Sequence, residues 1–474
     1  MFDKFHEECG IFAIFGSQDA SINTALGLHA LQHRGQEAGG IVSMNNGVAN
    51  FHFADGLIAD NFTSRKIIKK LEGNSAIGHV RYSTAGKKNA RNYQPIYAEL
   101  STGFLALAHN GNLTNASTLR KRLINEGSIF QSTMDTEVII HLIAKSQKNT
   151  LEEKIIDATS QVEGAFSLVL IHKDGIIALR DPFGVRPLSL GILGDSYVVA
   201  SETCAFDIIG AKFIRDIEHG EMIVIDKNGV RSSKPFPPKP SKFCIFEYVY
   251  FARPDSFIEG KHVYEMRKNI GIQLAKEIKL DADVVVPVPD SGVPASIGYA
   301  WQSQIPFELG IIRNHYVGRT FIEPTDKIRH FGVKLKHNAN LSIIKDKKVI
   351  LIDDSIVRGT TSKKIVQMIR EAGAKEIYML IASPPTIAPC FYGVDTPEKD
   401  ALIASKMSVE EIRQMIGADY LGYLSIDGLY QAINQTKRDN NSPQYCDACF
   451  SDQYPIRLTD KIGEAVPLFE REYK

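Results

Sequence analysis

Two adjacent carboxylates follow an apolar run in the segment VILIDDSIVRGTT (349–361). The run predicts a buried strand that delivers Asp353 and Asp354 to its carboxyl end, where carboxylates can hold ribose hydroxyls or Mg²⁺. Gly359 lets the backbone approach a ligand closely, and the threonines after it lie at a helix N-terminus, which attracts phosphate. The pattern predicts a site for a phosphorylated sugar. The alternative is a strand with two solvated acids and a helix cap.

Cys9 is a second candidate for chemistry, because it follows a short polar leader and opens the apolar run CGIFAIFG. A thiol has a pKa of about 8.5 and needs a base to become a nucleophile. A free α-amino group, with a pKa of about 7.7–8.0, can be that base for its own side chain. Within a chain this nitrogen is an amide, so the chemistry requires removal of residues 1–8. The alternative is a small buried hydrophobic residue.

The other five cysteines carry weaker indications. Cys446 and Cys449 form a CxxC pattern, which fits a redox site, a zinc site or chance. Cys244 and Cys390 have no local spacing that indicates a site. Six cysteines are few for a disulfide framework in 474 residues, so free thiols or metal ligands are expected instead. We expect Cys204 to be buried and inert.

A basic segment spans residues 313–339, with six Lys/Arg against two acids and few apolar runs. Beside an anionic substrate, basic residues on a mobile lid would attract the substrate and exclude water. The candidates are Arg319, Lys334 and Lys336. The alternative is a solvated surface loop.

The elements that must position these residues fall into two groups. The first half has short β-like runs with helical stretches at 119–127 and 135–146, which indicates mixed sheets with helices outside. The second half repeats strand, loop and helix, which predicts a parallel, doubly wound sheet. Four prolines within residues 234–240 exclude a helix or a central strand and mark the seam.

Composition narrows the function classes. A formal net charge of +0 argues against a nucleic-acid or membrane-surface binder. No apolar run approaches the roughly 18 residues of a membrane span, and the N-terminus has no secretory cleavage pattern. We expect a cytoplasmic enzyme of at least two domains.

The segment at 349–361 resembles the binding motif of type I phosphoribosyltransferases, with four apolar residues, two acids and a Gly-Thr-Thr turn. The resemblance implies that Asp353 and Asp354 hold phosphoribosyl pyrophosphate with Mg²⁺. It also implies a pyrophosphate loop at VPVPDSG (286–292), with Ser291 as a Mg²⁺ contact and Asp290 beside it; alone, PDSG is an ordinary turn. The implied contacts of phosphoribosyl pyrophosphate are Asp353, Asp354, Ser355, Arg358, Gly359, Thr360, Thr361 and Lys334.

Four segments of the first half resemble class II glutamine amidotransferases. The resemblance implies that Cys9 is the nucleophile, that Arg81 binds the glutamine carboxylate and that Asp135 binds its ammonium group. It places the oxyanion hole at Asn110 and Gly111. Arginine offers a planar fork to a carboxylate, and amide donors stabilise an oxyanion. Taken singly, HNG is a turn and Arg81 a surface charge. The segments, in the family's order, are GLHALQHRGQEAGG (27–40), GHVRYSTAG (78–86), ALAHNGNLTN (106–115) and STMDTEV (132–138).

Together the halves resemble the amidophosphoribosyltransferase family. The resemblance implies an α/β and α+β two-domain chain. Its parts are a propeptide (1–8), an N-terminal nucleophile hydrolase αββα sandwich (9–235) and a phosphoribosyltransferase domain with a C-terminal cluster-binding segment (241–474). The implied reaction releases ammonia from glutamine and passes it internally to C1 of phosphoribosyl pyrophosphate. The products would be phosphoribosylamine, pyrophosphate and glutamate, in the first step of purine synthesis.

Some members of this family carry a structural [4Fe–4S] cluster, and the resemblance implies Cys244, Cys390, Cys446 and Cys449 as its ligands, with zinc as the alternative. It also implies a homotetramer inhibited by the purine nucleotides AMP and GMP. Two other functions fit parts of the sequence. An amidotransferase with another acceptor is disfavoured by the DDSIVRGTT loop. A non-catalytic phosphoribosyl sensor is disfavoured by the intact set of glutamine-site residues.

Overall fold

The computed structural model of the protein describes residues 6–7, 9–82, 90–314 and 337–462. Within these ranges, no helix combines the length and hydropathy needed to cross a bilayer.

The first half contains two antiparallel sheets of seven and six strands, in the orders β12-β10-β11-β2-β5-β3-β4 and β14-β13-β9-β8-β7-β6. The strands are β1 His6–Glu7, β2 Cys9–Phe15, β3 Ala38–Asn45, β4 Val48–Asp55, β5 Ser75–Arg81, β6 Ile96–Leu100, β7 Gly103–Leu113, β8 Gly164–His172, β9 Gly175–Arg180, β10 Ser189–Leu193, β11 Ser196–Ala200, β12 Lys212–Asp216, β13 Met222–Asp226 and β14 Gly229–Ser233. The helices are Ala20–Ala30, Ile58–Asn61, Arg65–Lys70, Ala116–Asn125, Thr136–Lys145, Leu151–Thr159 and Cys204–Asp207, with a 3₁₀ turn at Ala90–Asn92.

The two sheets pack face to face with helices on both outer surfaces. Alternation along β2 shows why, because Ile11 points into the core shared by the sheets while Phe12 packs beneath the helix Ala20–Ala30. The outer face of the six-stranded sheet is covered by the helices between residues 116 and 159. This arrangement is the predicted αββα sandwich.

The second half is built on a four-stranded parallel sheet in the order β17-β20-β21-β23. Its strands are β15 Phe257–Ile258, β16 Lys261–His262, β17 Val284–Pro287, β18 Ile311–Arg313, β19 His337–Ala339, β20 Lys348–Asp353, β21 Glu376–Ile381, β22 Val394–Asp395 and β23 Tyr420–Tyr423. Its helices are Val263–Glu277, Val293–Ser303, Leu341–Ile344, Thr360–Glu371, Val409–Ile416, Ile426–Ala432, Ala448–Ser451 and Thr459–Ile462, with a π-helix at Glu247–Phe251 and 3₁₀ turns at Lys399–Ala401 and Ile403–Ser405.

Helices bury both faces of this sheet, as a doubly wound fold requires. Ile350 and Ile352 of β20 join the core formed with the helices Val263–Glu277 and Val293–Ser303. Leu351 joins the opposite core, which contains Ile365, Met368, Ile369 and Ala372. These four residues are the i, i+3, i+4, i+7 stripe of one amphipathic helix.

Residues 234–240, the predicted seam between the halves, form neither helix nor strand. The two halves also contact each other away from the seam, near both ends of the chain. Strand β1, from the leader, pairs antiparallel with β22 of the second half. Near the C-terminus, Asp460 accepts hydrogen bonds from the amides of Ser117 and Thr118 at 2.7 and 3.0 Å. The last described segment therefore returns to cap a helix of the first half.

Candidate active sites and the four-cysteine centre

The predicted nucleophile begins β2, the central strand of the seven-stranded sheet. Cys9 is 8% exposed and pairs in register with Arg81, the last residue of the antiparallel strand β5. Arg81 is only 6% exposed, so the guanidinium lies within the protein rather than on its surface. Residues directly opposite in an antiparallel pair are neighbours on one face. The structure thus places the Cys9 thiol beside Arg81, the residue predicted to bind the glutamine carboxylate.

Strand β7 carries the two predicted oxyanion residues at consecutive positions. Asn110 is fully buried, and Gly111 has a φ of +147°, where a Cβ would lie 2.1 Å from a neighbouring carbonyl oxygen. Asn110 Nδ2 lies 3.4 Å from the hydroxyl oxygen of Ser201, which accepts a hydrogen bond from the Ile11 amide at 3.0 Å. Ser201 therefore joins the oxyanion strand to β2, two residues beyond Cys9.

Asp135, which is predicted to bind the ammonium group of glutamine, caps the helix Thr136–Lys145. Its Oδ1 accepts a hydrogen bond from the Thr136 amide at 2.8 Å, and its Oδ2 accepts one from the Leu113 amide at 2.9 Å. His109 Nδ1 lies 3.8 Å from Oδ2, and 21% of the Asp135 side chain is exposed. Because Leu113 ends β7, the carboxylate is fixed beside the oxyanion strand and remains accessible to a ligand.

Glu137 holds the loop before Asp135 in place, a role that no sequence motif suggested. Its carboxylate accepts hydrogen bonds from the Gln131 and Ser132 amides at 2.7 and 2.8 Å and from the Ser132 hydroxyl at 2.6 Å. Burial alone would raise the pKa of Glu137, but the hydrogen bonds from His141, Ser132 and Gln131 outweigh burial and lower this pKa to about 2. The ionised carboxylate therefore stabilises the loop that precedes Asp135.

We expect Glu137→Gln to destabilise the protein by about 2 kcal/mol at pH 7, after allowance for solvent screening. A carboxylate whose pKa is lower in the folded than in the unfolded state stabilises the folded protein at pH values above the unfolded pKa of 4.5. This stabilisation is lost as the pH falls toward 2. The deficit, measured by urea unfolding, should therefore narrow between pH 7 and pH 3.5. Glu153→Gln, which changes an exposed helix-cap carboxylate, is the control and should cost less. Equal deficits for Glu137→Gln at both pH values would contradict this role.

The predicted acid pair lies at the carboxyl end of β20. Asp353 and Asp354 are 1% and 2% exposed. The Asp354 amide donates to Asp353 Oδ1 at 2.9 Å, and the Ser355 hydroxyl donates to Asp354 Oδ2 at 2.6 Å. The Ser383 hydroxyl also donates to the Asp354 carbonyl at 2.8 Å. These bonds fix two carboxylates side by side at the sheet edge where doubly wound folds bind ligands.

The rest of the predicted phosphate loop leads into a helix N-terminus. Gly359 has a φ of +78°, and a Cβ there would lie 2.5 Å from the Met415 methyl carbon. Both facts favour glycine at this position. Arg358 and Thr360 are exposed, and Thr361 is half-buried. The loop therefore presents polar groups to solvent beside the amide end of a helix, as a phosphate site requires.

The predicted pyrophosphate loop packs against the same strand. It follows β17, the parallel neighbour of β20, so both loops leave one edge of the sheet. The Val288 amide donates to the Ile352 carbonyl at 2.9 Å, and a Cβ on Gly292 would lie 2.3 Å from that oxygen. Ile352 immediately precedes Asp353. The structure therefore brings together the two loops that the sequence assigned to one ligand.

Other predicted residues surround this edge. Ser291 is half-buried, and Asp290 is exposed and forms an ion pair with Arg313 at the start of the basic segment. Arg319, Lys334 and Lys336, the candidates of the basic segment, lie outside the described residues.

Buried charges connect the glutamine half to the second half. Arg34, whose Cβ lies 3.4 Å from the Cβ position of Gly10, pairs with Glu202 and, at 2.8 Å, with Glu247 of the π-helix. Arg186 Nη2 lies 3.0 Å from the same Glu247 carboxylate. All four charged side chains are fully buried. Breaking a buried pair leaves an uncompensated charge, so this network fixes the halves relative to each other beside the nucleophile strand.

The four cysteines predicted as metal ligands line one cavity. Its wall also includes the aromatic residues Phe246, Phe251 and Tyr392. Burial raises the pKa of the Cys244 thiol to about 12, and burial with the neighbouring cysteines raises the pKa of Cys446 and Cys449 well above the ordinary value. A bound cation reverses this preference and favours the thiolate. The four cysteines are Cys244, Cys390, Cys446 and Cys449.

The described part of the chain holds no group of three or more His, Cys, Asp or Glu side chains placed to bind a single ion. Four thiols are a ligand set that serves an iron–sulfur cluster and a tetrahedral zinc site equally well. Cys204 lies elsewhere, buried, with its Sγ 3.9 Å from the Ala30 carbonyl oxygen.

The segment that carries Cys390 touches the oxyanion strand. The Asn112 side-chain amide donates to the Phe391 carbonyl at 2.9 Å. A Cβ on Gly393 would lie 2.9 Å from the Gly111 Cα. Phe391, the residue after Cys390, therefore contacts the strand that carries the predicted oxyanion residues.

Family models and relatives agree with this geometry. A family model described as a glutamine amidotransferase domain matches residues 79–207, and one described as a phosphoribosyl transferase domain matches residues 263–386. The chain is 55% identical over 470 residues to the amidophosphoribosyltransferase of Rhizobium etli, covering 98% of this chain and 95% of the relative. It is 49% identical over 454 residues to that of Bacillus subtilis, covering 96% and 95%.

A solved structure extends the similarity to the whole fold. Glutamine phosphoribosylpyrophosphate amidotransferase from B. subtilis, complexed with ADP and GMP, matches with a TM-score of 0.90 at 48% identity. The match covers 95% of this chain and 98% of that chain.

Proposed function

Because this chain belongs to the amidophosphoribosyltransferase family, we propose that its two sites perform one coupled reaction. The first half hydrolyses glutamine at Cys9, and the second half uses the ammonia to displace pyrophosphate from phosphoribosyl pyrophosphate. The observation that carries the proposal is the presence, in one chain, of the Cys9–Arg81 pair and the buried acid pair Asp353–Asp354. We take residues 9–235 and 241–474 as the two domains.

At the glutamine site, Arg81 holds the substrate carboxylate and Asp135 its ammonium group. The Cys9 thiolate attacks the amide carbon, Asn110 and Gly111 donate to the resulting oxyanion, and ammonia leaves. Water then hydrolyses the γ-glutamyl thioester. The α-amine of Cys9 is the base, so residues 1–8 are removed in the active enzyme. Intact-mass measurement of active protein tests this, since full activity in a species that keeps Met1 or Phe2 would contradict it.

At the phosphoribosyl site, the side chains of Asp353 and Asp354 hold the ribose hydroxyls, and the loop Ser355–Thr361 surrounds the 5′-phosphate. Ser291, Asp353 and Asp354 have the oxygen ligands that Mg²⁺ prefers, and bound Mg²⁺ would neutralise charge on the leaving pyrophosphate. Arg358 and Lys334 add positive charge. Ammonia must arrive unprotonated because ammonium has no lone pair, so a passage that excludes water is required.

The function is tested by supplying glutamine and phosphoribosyl pyrophosphate together. We expect one glutamate and one pyrophosphate to be released per turnover. Glutamate release that does not depend on phosphoribosyl pyrophosphate, with no pyrophosphate, would favour an amidotransferase with another acceptor. Binding without turnover of either substrate would favour a regulatory sensor.

We also propose that Cys244, Cys390, Cys446 and Cys449 hold a [4Fe–4S] cluster. Four thiolates are the ligands such a cluster needs. The four cysteines line one cavity whose walls also include Phe246, Phe251 and Tyr392, and zinc is the alternative occupant. The cluster would link the segment around residues 446–449 to Cys244 near the seam, where backbone pairing already joins Cys244 and Cys446.

Cys446→Ser should lower the iron and sulfide content of anaerobically purified protein from about four of each per chain to less than one. Loss of the metal removes folding free energy, so the thermal midpoint should fall by roughly 5 °C or more. Cys204→Ser is the matched control, because Cys204 is also buried and lies outside the cavity. Protein that is folded, active and iron-free without mutation would refute the cluster, and bound zinc would favour the alternative.

We further propose a homotetramer that purine nucleotides such as AMP and GMP inhibit. The regulation is supported by the similar B. subtilis enzyme, whose solved structure is a complex with ADP and GMP, and the homotetramer is proposed from the family resemblance. Light scattering of the purified protein tests the assembly, and inhibition assays with each nucleotide test the regulation.

A further inference from the structure

We propose that Ser201 is a positioning residue that turns the Asn110 amide so that its NH₂ group faces the oxyanion. This inference rests on the proposed role of Asn110 in glutamine hydrolysis. Asn110 is fully buried, and its Oδ1 has no hydrogen-bond partner among the described residues. A buried acceptor left without a donor is costly. The orientation of this amide therefore needs a physical explanation.

Ser201 is fixed by the nucleophile strand. Its hydroxyl oxygen accepts from the Ile11 amide at 3.0 Å, and its own amide donates to the Ile11 carbonyl, also at 3.0 Å. A serine hydroxyl can accept two hydrogen bonds and donate one. Asn110 Nδ2, at 3.4 Å, also points its hydrogens at this oxygen. The hydroxyl proton therefore has no acceptor in the described part of the chain.

One rotation of the Asn110 amide resolves both deficits. The oxygen and nitrogen ends of an amide are nearly indistinguishable in shape, so the hydrogen-bond network decides their placement. After the rotation, Ser201 Oγ–H donates to Asn110 Oδ1, while Oγ still accepts from Ile11. The NH₂ group then takes the place of the orphaned oxygen.

The rotated amide serves the chemistry of the site. When the Cys9 sulfur bonds to the amide carbon of glutamine, the carbonyl π electrons move to oxygen and create an anion. The Asn110 NH₂ group is a donor to that anion, whereas Oδ1 in the same position would repel it. Collapse of the adduct returns the electrons, breaks the C–N bond and releases the nitrogen as ammonia, with a proton from the Cys9 amine.

The test is Ser201→Ala in the intact two-domain enzyme. Because the oxyanion donor loses its orientation, kcat for glutamine hydrolysis should fall at least about tenfold, while KM for glutamine changes less than about twofold. Inhibition by the aldehyde analogue of glutamine, which forms a tetrahedral adduct with the thiol, should weaken by a similar factor. Ammonia-dependent synthesis should remain unchanged, which also shows that the variant is folded.

Three controls separate positioning from packing. Ser167→Ala removes a buried hydroxyl that donates to the backbone carbonyl of Arg186, in the loop between β9 and β10, and should leave kcat within about twofold. Ser201→Thr and Ser201→Val match each other in shape and differ in the hydroxyl. Glutamine hydrolysis by Ser201→Val should therefore be about tenfold slower than by Ser201→Thr. This comparison remains informative if Ser201→Ala folds poorly. In an Asn110→Ala background, the loss from Ser201→Ala should disappear.

Wild-type kcat in Ser201→Ala, or equal kcat for Ser201→Thr and Ser201→Val, would overturn the inference. An additive loss in the Asn110→Ala background would also overturn it. These outcomes are distinct from failure of the proposed function. If Cys9→Ala kept glutamine hydrolysis, the site itself would be misassigned, whatever Ser201 does.

Discussion

Replacing Cys9 by alanine is expected to reduce glutamine-dependent synthesis of phosphoribosylamine by at least about 10³-fold and to leave ammonia-dependent synthesis intact. Without the thiol, the glutamine amide has no nucleophile, and the neighbouring Arg81 and Asp135 can only bind the substrate. The second site does not need Cys9, because added ammonia reaches it directly.

The measurement is pyrophosphate release with either glutamine or ammonium chloride, at a pH high enough to supply neutral ammonia. Cys204→Ala is the matched control, since that thiol is also buried in the first half, where its Sγ lies 3.9 Å from the Ala30 carbonyl oxygen. It should keep both activities. Glutamine-dependent release that survives in Cys9→Ala would contradict the assignment of the nucleophile.

The second large effect is expected from Asp353→Asn combined with Asp354→Asn, which should reduce synthesis from both nitrogen donors by at least about 10²-fold. The substitutions keep the side-chain shape but remove two charges from the ligand edge of the sheet. The hydroxyl of Ser355 can still donate to the side-chain amide oxygen that replaces the Asp354 carboxylate, so the local fold should persist. Glutamine hydrolysis measured without phosphoribosyl pyrophosphate should continue.

Asp281→Asn is the control for this pair. Asp281 precedes β17 at the opposite edge of the same sheet, where it is exposed and pairs with Lys348 at 2.8 Å. An exposed pair of this kind contributes little, so both activities should be unchanged. Retained synthesis in the double variant would show that the paired acids do not hold the sugar.

Sequence alone predicted the elements whose periodicity is strong. The stripe Ile365, Met368, Ile369, Ala372 gives a helix over Thr360–Glu371, and the apolar run before Asp353 gives β20. It also predicted the sites whose motifs are local, because the acid pair and the Gly-Thr-Thr turn are adjacent in the chain. Here local chemistry and the fold agree.

Interactions between distant residues could not be predicted in the same way. Arg34 lies in a segment singled out for its resemblance, yet its partner Glu247 is 213 positions away, and no periodicity reports that distance. Ser201 and Glu137 were missed for the same reason, because a single Ser or Glu is common and its value depends on what folds against it. Cys244 and Cys390 had no local spacing, and the resemblance grouped them before the structure showed one cavity.

The central claim is that nitrogen passes inside the protein from the Cys9 site to the sugar held by Asp353 and Asp354. The direct measurement supplies glutamine labelled with ¹⁵N in its amide, together with excess unlabelled ammonium, and determines the label in newly formed phosphoribosylamine. Internal transfer predicts that most of the product carries ¹⁵N at a pH where external ammonia is largely protonated. Product whose label matches the mixed nitrogen pool would show that ammonia escapes to solvent and would contradict the account.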